Sequence, residues 1–505
     1  MSRVPSHPVL TCAEAKAWES GLLKDEAAEW DAMQRAGTAL AGAVLQDFRE
    51  IGGLPDDGRI LVLAGKGHNG GDALLAARAL LSGRPGARVV VLPCLGTVAL
   101  RPLAARSLAA LQQEAPGRVE LLPASAALAP GTRYSLCLDG IFGFQFRAPV
   151  EPATAQLLAA VNAHPAIAFR AAVDLPSGVG ETSIATPFRA DFTYATGIVK
   201  QPVLSPQMAA FVGRLRYLDL GFFNAGEPEQ PRERILSAEV LDPLAGLRPS
   251  QTDKRTFGHL LVVGGSRNYP GAVVLAVRAA LRSGAGLVTA FVPAILAPEY
   301  AARHPEAMWV GCPETTAGGL AHGTMELVRE RLPRATALLM GPGLGAAPET
   351  LSLLQDIVRM AEIPLVLDAD ALRAEVIAEV KDKPFVGTPH AGEFQRIAPG
   401  LFTGDKFTAE RGVLVLKGPM TRVIDGRTAY YSPFGGPVLA RGGSGDLLAG
   451  LIGGLLAQAP GDPLLAACRG TVWHGHAADL LARTRGQVAV EVSEILEQLG
   501  PALIS

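Results

Sequence analysis

At 505 residues the chain is longer than one ordinary hydrophobic core supports, so two or more domains are expected. Hydrophobic residues make up 49% and charged residues 19%, which argues against long disorder. The formal net charge is -2 with Lys and Arg scattered, so neither a nucleic-acid surface nor an anionic-membrane surface is indicated.

Five cysteines lie far apart and form no CxxC pair, which argues against a disulfide framework or zinc site and fits a reducing cytoplasm. The first residues hold no apolar signal core. No stretch is long and apolar enough to span a bilayer; Leu447–Ala459 is short and broken by glycine.

In chain order, residues 11–50 read as helical, with Thr11 as an N-cap. Arg59–Ala64 is a buried type of strand. It runs into Gly65-Lys-Gly-His-Asn-Gly-Gly-Asp72, a helix from Ala73 to Leu81, and a strand at Arg88–Leu92. This strand, glycine loop, helix, strand unit predicts a parallel sheet with ligands at the strand ends. Gly65-x-Gly67-x-x-Gly70 matches the dinucleotide fingerprint in form. The second strand ends without the acid that would hold a ribose, so a standard NAD-dehydrogenase site is not predicted.

Two further strands end in acids, at Asp139 and Asp174-Leu-Pro-Ser177. Asn69, Asp139 and Ser177 offer oxygen ligands that suit a hard cation, although each residue taken alone also suits a turn. Gly213–Gly221 reads as the last strand of a first domain, and the polar, turn-rich Asn224–Pro231 as a linker.

The second half repeats the pattern. Strands are predicted at His259–Val263, Leu287–Val292, Ala337–Met340, Pro364–Asp368, Pro384–Gly387 and Val413–Leu416. Helices are predicted at Ala272–Ser283 and Pro348–Met360, and a hairpin around Asp425-Gly426. Lys417 is a point charge suited to phosphate, and Thr421 adds a hydroxyl. His390 stands in a loop, where a polar turn role is the plainer expectation. Asp368 and Asp370 suit helix capping or contact with the waters of magnesium.

Arg441-Gly-Gly-Ser-Gly-Asp-Leu-Leu-Ala-Gly450 then opens an apolar helical run from Leu447 to Ala457. Glycines let backbone N–H groups approach an anion closely, and the helix N-terminus adds partial positive charge. Asp446 stands at the mouth of this phosphate-suited turn, placed to take a proton from a hydroxyl attacking phosphorus; otherwise it is an N-cap.

GKGHNGGD, LDGIFG, VDLPSG and Ala190–Lys200 resemble the amino-terminal epimerase domain of bifunctional NAD(P)H-hydrate repair enzymes. The resemblance implies a Rossmann-like domain over residues 1–228 that interconverts the R and S hydrates. Asn69, Asp139 and Ser177 would bind K+. His68, Asn69, Gly70, Gly71 and Asp72, together with Gly143, Phe144, Gln145, Phe146, Arg147, Ala148 and Pro149, would line the substrate. Asp174 would bind substrate and transfer protons. His68, Ala73 and Phe144 depart from the usual family pattern, and a scaffolding module without catalysis is the alternative for this domain.

GGSRNYPGA, GPGLG, LDADAL, TPHAGEF, LKGPMT and GGSGDLLAG resemble the ADP-dependent NAD(P)H-hydrate dehydratase of the ribokinase-like superfamily. The implied architecture is a second three-layer α/β/α domain over residues 235–505. By resemblance, Asp446 deprotonates the hydrate hydroxyl, which attacks the terminal phosphoryl of ADP; loss of phosphate then restores NAD(P)H and leaves AMP. Lys417, Gly418, Pro419, Met420, Thr421 and Gly445 would hold the nucleotide with Mg2+, and Ala272, Gly343, His390 and Asp446 the hydrate. The family tends to assemble, so a homo-oligomer is expected. A ribokinase-like vitamin-precursor kinase is the alternative within enzymes.

Overall fold

The computed structural model describes residues 4–94, 99–228, 231–403, 406–407 and 412–504. Glu229 and Gln230, within the predicted linker, lie outside them. The chain divides into two compact units. One comprises His7–Ile235 and Arg483–Gly486; the other comprises Met1–Ser6, Leu236–Ala482 and Gln487–Ser505.

The first unit is built on seven strands: β1 (Arg59–Ala64), β2 (Arg88–Pro93), β3 (Val119–Leu121), β4 (Leu136–Gly140), β5 (Arg170–Val173), β6 (Phe192–Thr196) and β7 (Arg214–Leu218). They pair in the order β3-β2-β1-β4-β5-β6-β7, all parallel. Strand residues alternate between faces, and here both faces are covered. Ile60 and Val62 enter one core with Leu74 and Leu80, while Leu61 and Leu63 enter another with Leu158 and Val161. That is a helix, sheet, helix sandwich.

The helix after β1 spans His68–Ser82, so most of the predicted glycine loop is its first turn. The physical reason lies in packing. A Cβ on Gly70 would come within 2.2 Å of the Gly65 carbonyl oxygen, and one on Gly71 within 2.3 Å of Met33. These glycines bring helix and neighbours into close approach rather than loosening a loop. The predicted helical residues 11–50 resolve into Cys12–Leu22, with Thr11 and Glu14 as a capping box, and Glu26–Phe48.

The second unit holds β8 (His259–Val263), β9 (Leu287–Pro293), β10 (Met308–Cys312), β11 (Ala337–Met340), β12 (Leu365–Leu367), β13 (Phe385–Gly387) and β14 (Gly412–Leu416). They pair in parallel in the order β10-β9-β8-β11-β12-β13-β14. The antiparallel strands β15 (Arg422–Ile424) and β16 (Ala429–Tyr431) follow, as the predicted hairpin. Leu260 and Val262 pack into one core, Leu261 and Val263 into another, so this sheet is covered on both faces too.

The helix Ser444–Gln458 is buried nearly all round. It meets the helix Pro270–Arg282 through glycine: a Cβ on Gly450 would lie 2.1 Å from the Ala276 carbonyl oxygen. Backbone therefore touches backbone, with no soft side chain to yield. Gly450→Ala is expected to destabilise this unit by about 3 kcal/mol through overpacking. Thermal unfolding followed by circular dichroism checks it; an unchanged melting temperature would contradict the contact.

No helix among the described residues is long and apolar enough to cross a membrane.

Candidate functional site

In the first unit the strand ends open into a cavity of about 520 Å³. His68, Asn69, Asp72, Gly143–Arg147, Pro149 and Asp174 line it. Gly70 and Gly71 face the helix packing instead. Ala148 precedes Pro149 across a cis peptide.

The three predicted cation ligands are linked through Phe142 and Ser177. The Asn69 side-chain amide donates to the Phe142 carbonyl at 2.8 Å, and the Phe142 N–H donates to the Ser177 hydroxyl oxygen at 2.9 Å. The Ser177 hydroxyl donates to Asp139 Oδ1 at 2.6 Å, and the Ser177 N–H to Asp139 Oδ2 at 2.7 Å. Asp139 is fully buried and has no Lys or Arg partner among the described residues. Burial pushes its carboxyl up to about 6, against the hydrogen bonds from Ser177 and Ile141.

The floor of the cavity carries a second group of acids around one cation. Lys200 Nζ lies 2.6 Å from Asp174 Oδ1 and 3.7 Å from Glu19 Oε1. The Phe144 ring sits 4.8 Å from the same ammonium, a cation–π contact. Asp174 holds a left-handed backbone at φ 66°, a conformation Asp tolerates better than most residues. Asp72 stands half-buried nearby, with one buried carboxyl oxygen unpartnered among the described residues. Burial, then Asp174 and Glu19, push the Asp72 carboxyl well up. Burial pushes Glu19 up to about 7, with Lys200 opposing.

The sequence singled out neither Glu19 nor Lys200 for chemistry. Lys200 does close the Ala190–Lys200 motif, and a lysine ending a buried strand run is a signal for a paired charge. Glu19 lies on the distant helix Cys12–Leu22 and gives no such signal.

In the second unit Asp446 lies in the first turn of the helix Ser444–Gln458, with Gly443 as N-cap at φ 91°. Asp446 is therefore not the cap. Burial pushes its carboxyl up to about 7; Asp368, Asp370 and Glu393 add to the rise and Lys417 opposes it. Lys417 Nζ is 2.9 Å from Asp368 Oδ1 and 3.8 Å from Glu393 Oε2. A Cβ on Gly445 would come 3.1 Å from that ammonium, so the glycine turn and Lys417 are immediate neighbours. The helix's first N–H groups lack partners within the helix and point outward at the same place.

Asp368 does not cap a helix with its side chain: its Oδ1 accepts from the Thr388 hydroxyl at 2.7 Å as well as from Lys417. A tertiary cation has taken the carboxylate that local sequence would aim at a backbone N–H. Asp370 accepts the Gly345 N–H at 2.8 Å, fixing the Gly341–Gly345 turn.

His390 caps the helix Ala391–Leu401. Its Nδ1 accepts the N–H of Gly392 and Glu393, and Glu393 in turn accepts the His390 N–H. The polar turn role is thus met, while the Nε2 edge remains largely exposed beside Glu393. Gly343, at φ 67°, lies against Ala272: a Cβ there would be 3.0 Å from the Ala272 Cβ. Gly418 and Pro419 are exposed on the turn after β14, and the Thr421 hydroxyl reaches the Gly418 carbonyl at 3.5 Å. The arrangement pairs a proton acceptor tuned to neutral pH with an anion-suited turn and a lysine, the parts a phosphoryl transfer needs.

A family model described as NAD(P)H-hydrate dehydratase matches residues 260–500, and one described as YjeF-related protein N-terminus matches residues 30–202. The bifunctional NAD(P)H-hydrate repair enzyme of Gloeobacter violaceus is 37% identical over 495 residues, 93% of each chain. That of Moorella thermoacetica is 34% identical over 92% of this chain and 91% of its own. A solved ADP/ATP-dependent NAD(P)H-hydrate dehydratase from Bacillus subtilis, co-crystallized with ATP/Mg2+, is 26% identical over 53% of this chain and 96% of its own, at a TM-score of 0.42. The two family matches and the near full-length relatives place this chain in the family of bifunctional NAD(P)H-hydrate repair enzymes.

Proposed function

We propose that this chain repairs hydrated NAD(P)H in two steps: residues 1–228 epimerise the R and S hydrates, and residues 235–505 dehydrate the S form at the expense of ADP. The observation that carries the dehydration step is Asp446, a carboxyl held near neutrality beside Lys417 at the start of a glycine-opened helix. Its carboxylate takes the proton of the hydrate hydroxyl. The freed oxygen attacks the terminal phosphoryl of ADP in line, and AMP leaves. Phosphate then leaves from its ring carbon and the adjacent ring carbon gives up a proton, which restores the double bond of the reduced nicotinamide. Phosphorylation converts a poor leaving group into a good one, so a kinase-like site serves a dehydration.

Lys417 through Thr421 and Gly445 hold the nucleotide, while Ala272, Gly343 and His390 bound the hydrate. Asp446, Asp368 and Glu393 face the Lys417 ammonium and Asp370 stands close enough to Asp446 to raise its carboxyl, and an anionic nucleotide adds to that excess of negative charge. Mg2+ suits such a donor set, with Asp368 and Asp370 placed to contact its waters, and would supply charge neutralisation on the transferring phosphate. In the first unit Asn69, Asp139 and Ser177 fit K+: a buried carboxylate hydrogen-bonded by neutral groups gains the counter-charge it lacks. A cytoplasmic homo-oligomer fits both the cysteine usage and the family.

The test is recovery of reduced-nicotinamide absorbance from a mixed R/S NADH-hydrate pool with ADP, Mg2+ and K+. Full recovery, faster than spontaneous epimerisation, is expected. Recovery that stops at the S fraction would leave the dehydratase and overturn the epimerase assignment. No recovery with ADP or ATP would favour the vitamin-precursor kinase.

A further inference from the structure

Epimerisation at the hydrated ring carbon handles a proton twice. One group protonates the departing hydroxyl so that it leaves as water; the ring nitrogen's lone pair then stabilises the cation. Water adds to the opposite face, and a base takes its proton. Atoms and charge balance, and no oxidant or reductant is consumed. Such a site therefore needs two proton-carrying groups of different character. The epimerase assignment above names one, Asp174.

The floor of the first unit's cavity holds a second. Asp174 and Lys200 are sealed in, with side chains 6% and 1% exposed, and are bound to each other at 2.6 Å. Glu19, the third member of the group, is 21% exposed and lines the cavity. It stands 3.7 Å from Lys200, a longer contact than the 2.6 Å between Lys200 and Asp174. Its helix is fixed independently by the Thr11–Glu14 capping box and by Trp18, whose ring N–H donates to the Phe222 carbonyl at 3.0 Å. Glu19 is thus the accessible end of a buried acid, lysine, acid array held by a rigid element.

We infer that Glu19 is a catalytic residue of the epimerisation, the acid that protonates the departing hydroxyl, while the Lys200-paired Asp174 carboxylate accepts the proton of the incoming water. This rests on the epimerase assignment. Burial keeps Glu19 half protonated near neutral pH, as the acid role needs. The groups that set its charge are Lys200, Asp174 and Asp72; the Cys12 N–H donates to Glu181, and His68 pairs with Glu29 in the same cavity.

The experiment uses the full chain without ADP. An R-enriched NADH-hydrate pool is followed by chromatography towards the R/S equilibrium, across pH 5 to 9. Glu19→Gln is expected to lower kcat about 100-fold with KM within about threefold. Glu19→Asp is expected to restore part of the rate. In the wild type the rate should fall as pH rises through about 7, where the acid loses its proton, and Glu19→Gln should lack that fall. Dehydration of the S hydrate with ADP by the same preparation reports that the chain is intact. If exchange in Glu19→Gln matched the wild type, or if the loss lay wholly in KM, Glu19 would not be the acid. Should the wild type itself exchange no hydrate, the epimerase assignment would fall, and this inference with it.

Discussion

Asp446→Asn is expected to abolish dehydration, with a loss of about 10³-fold or more in kcat, while ADP binding persists. The asparagine is isosteric and keeps the helix turn, but its amide cannot accept the hydroxyl proton. The sign of the stability change separates this outcome from simple damage. Burial pushes the wild-type carboxyl up to about 7 in the fold, against an ordinary value of 3.8. A carboxyl raised by folding supports stability below its unfolded value, and that support is lost as pH rises through the folded value. At pH 8 the variant, which has no charge to bury, should be as stable as the wild type or more so. At pH 4 it should show no gain. ADP should bind at least as tightly, because one of four carboxylates facing the phosphates is gone. Calorimetric titration with ADP and melting at both pH values decide it; near-native turnover would refute the base assignment.

The second large effect is on folding. Lys200→Met removes the ammonium bound to the buried Asp174 and standing beside the half-buried Glu19 and Asp72. Breaking a buried ion pair on one side leaves uncompensated charge and costs about 3–5 kcal/mol. The loss should depend on pH. Burial already pushes Glu19 up to about 7 in the fold, against an ordinary value of 4.5, and its stabilising contribution fades across that window as pH rises. Without Lys200, which opposes the rise, the Glu19 and Asp72 carboxyls are pushed higher still. The variant should therefore melt far below the wild type at pH 8 and recover part of the difference at pH 5. An equal deficit at both pH values would mean that Lys200 acts through packing alone.

Much of the architecture was open to reading because buried parallel strands leave continuous apolar runs, as in Arg59–Ala64, His259–Val263 and Ala337–Met340. Paired strands of this kind carry ligands at their ends, which placed Asn69, Asp139 and Ser177 near one another before any coordinates. The start of the helix His68–Ser82 was misplaced because glycine has two uses. Local sequence suggests conformational freedom, whereas Gly70 and Gly71 serve close packing that only the neighbouring chain reveals. Asp368 was misread for a related reason, since a nearby backbone N–H is visible in sequence and Lys417, 49 positions away, is not. Glu19 and Lys200 are a similar case. A buried charge is explained by its partner, and sequence does not state partners.

The left-handed backbone at Asp174 restricts which residues mutation can place there. Most side chains strain at that angle; Gly and Asn, with Asp, do not. Asparagine fits the same space, needs no counter-ion, and is a single nucleotide change from aspartate. A lineage that kept this unit only as scaffolding would have an easy exit by that one step. A saturation library at position 174 should accordingly yield folded protein chiefly as Asp, Asn and Gly, and epimerising protein as Asp alone. At such a position the backbone has reduced the question of whether the unit still works to a choice between two nearly identical side chains, and the chain carries the charged one.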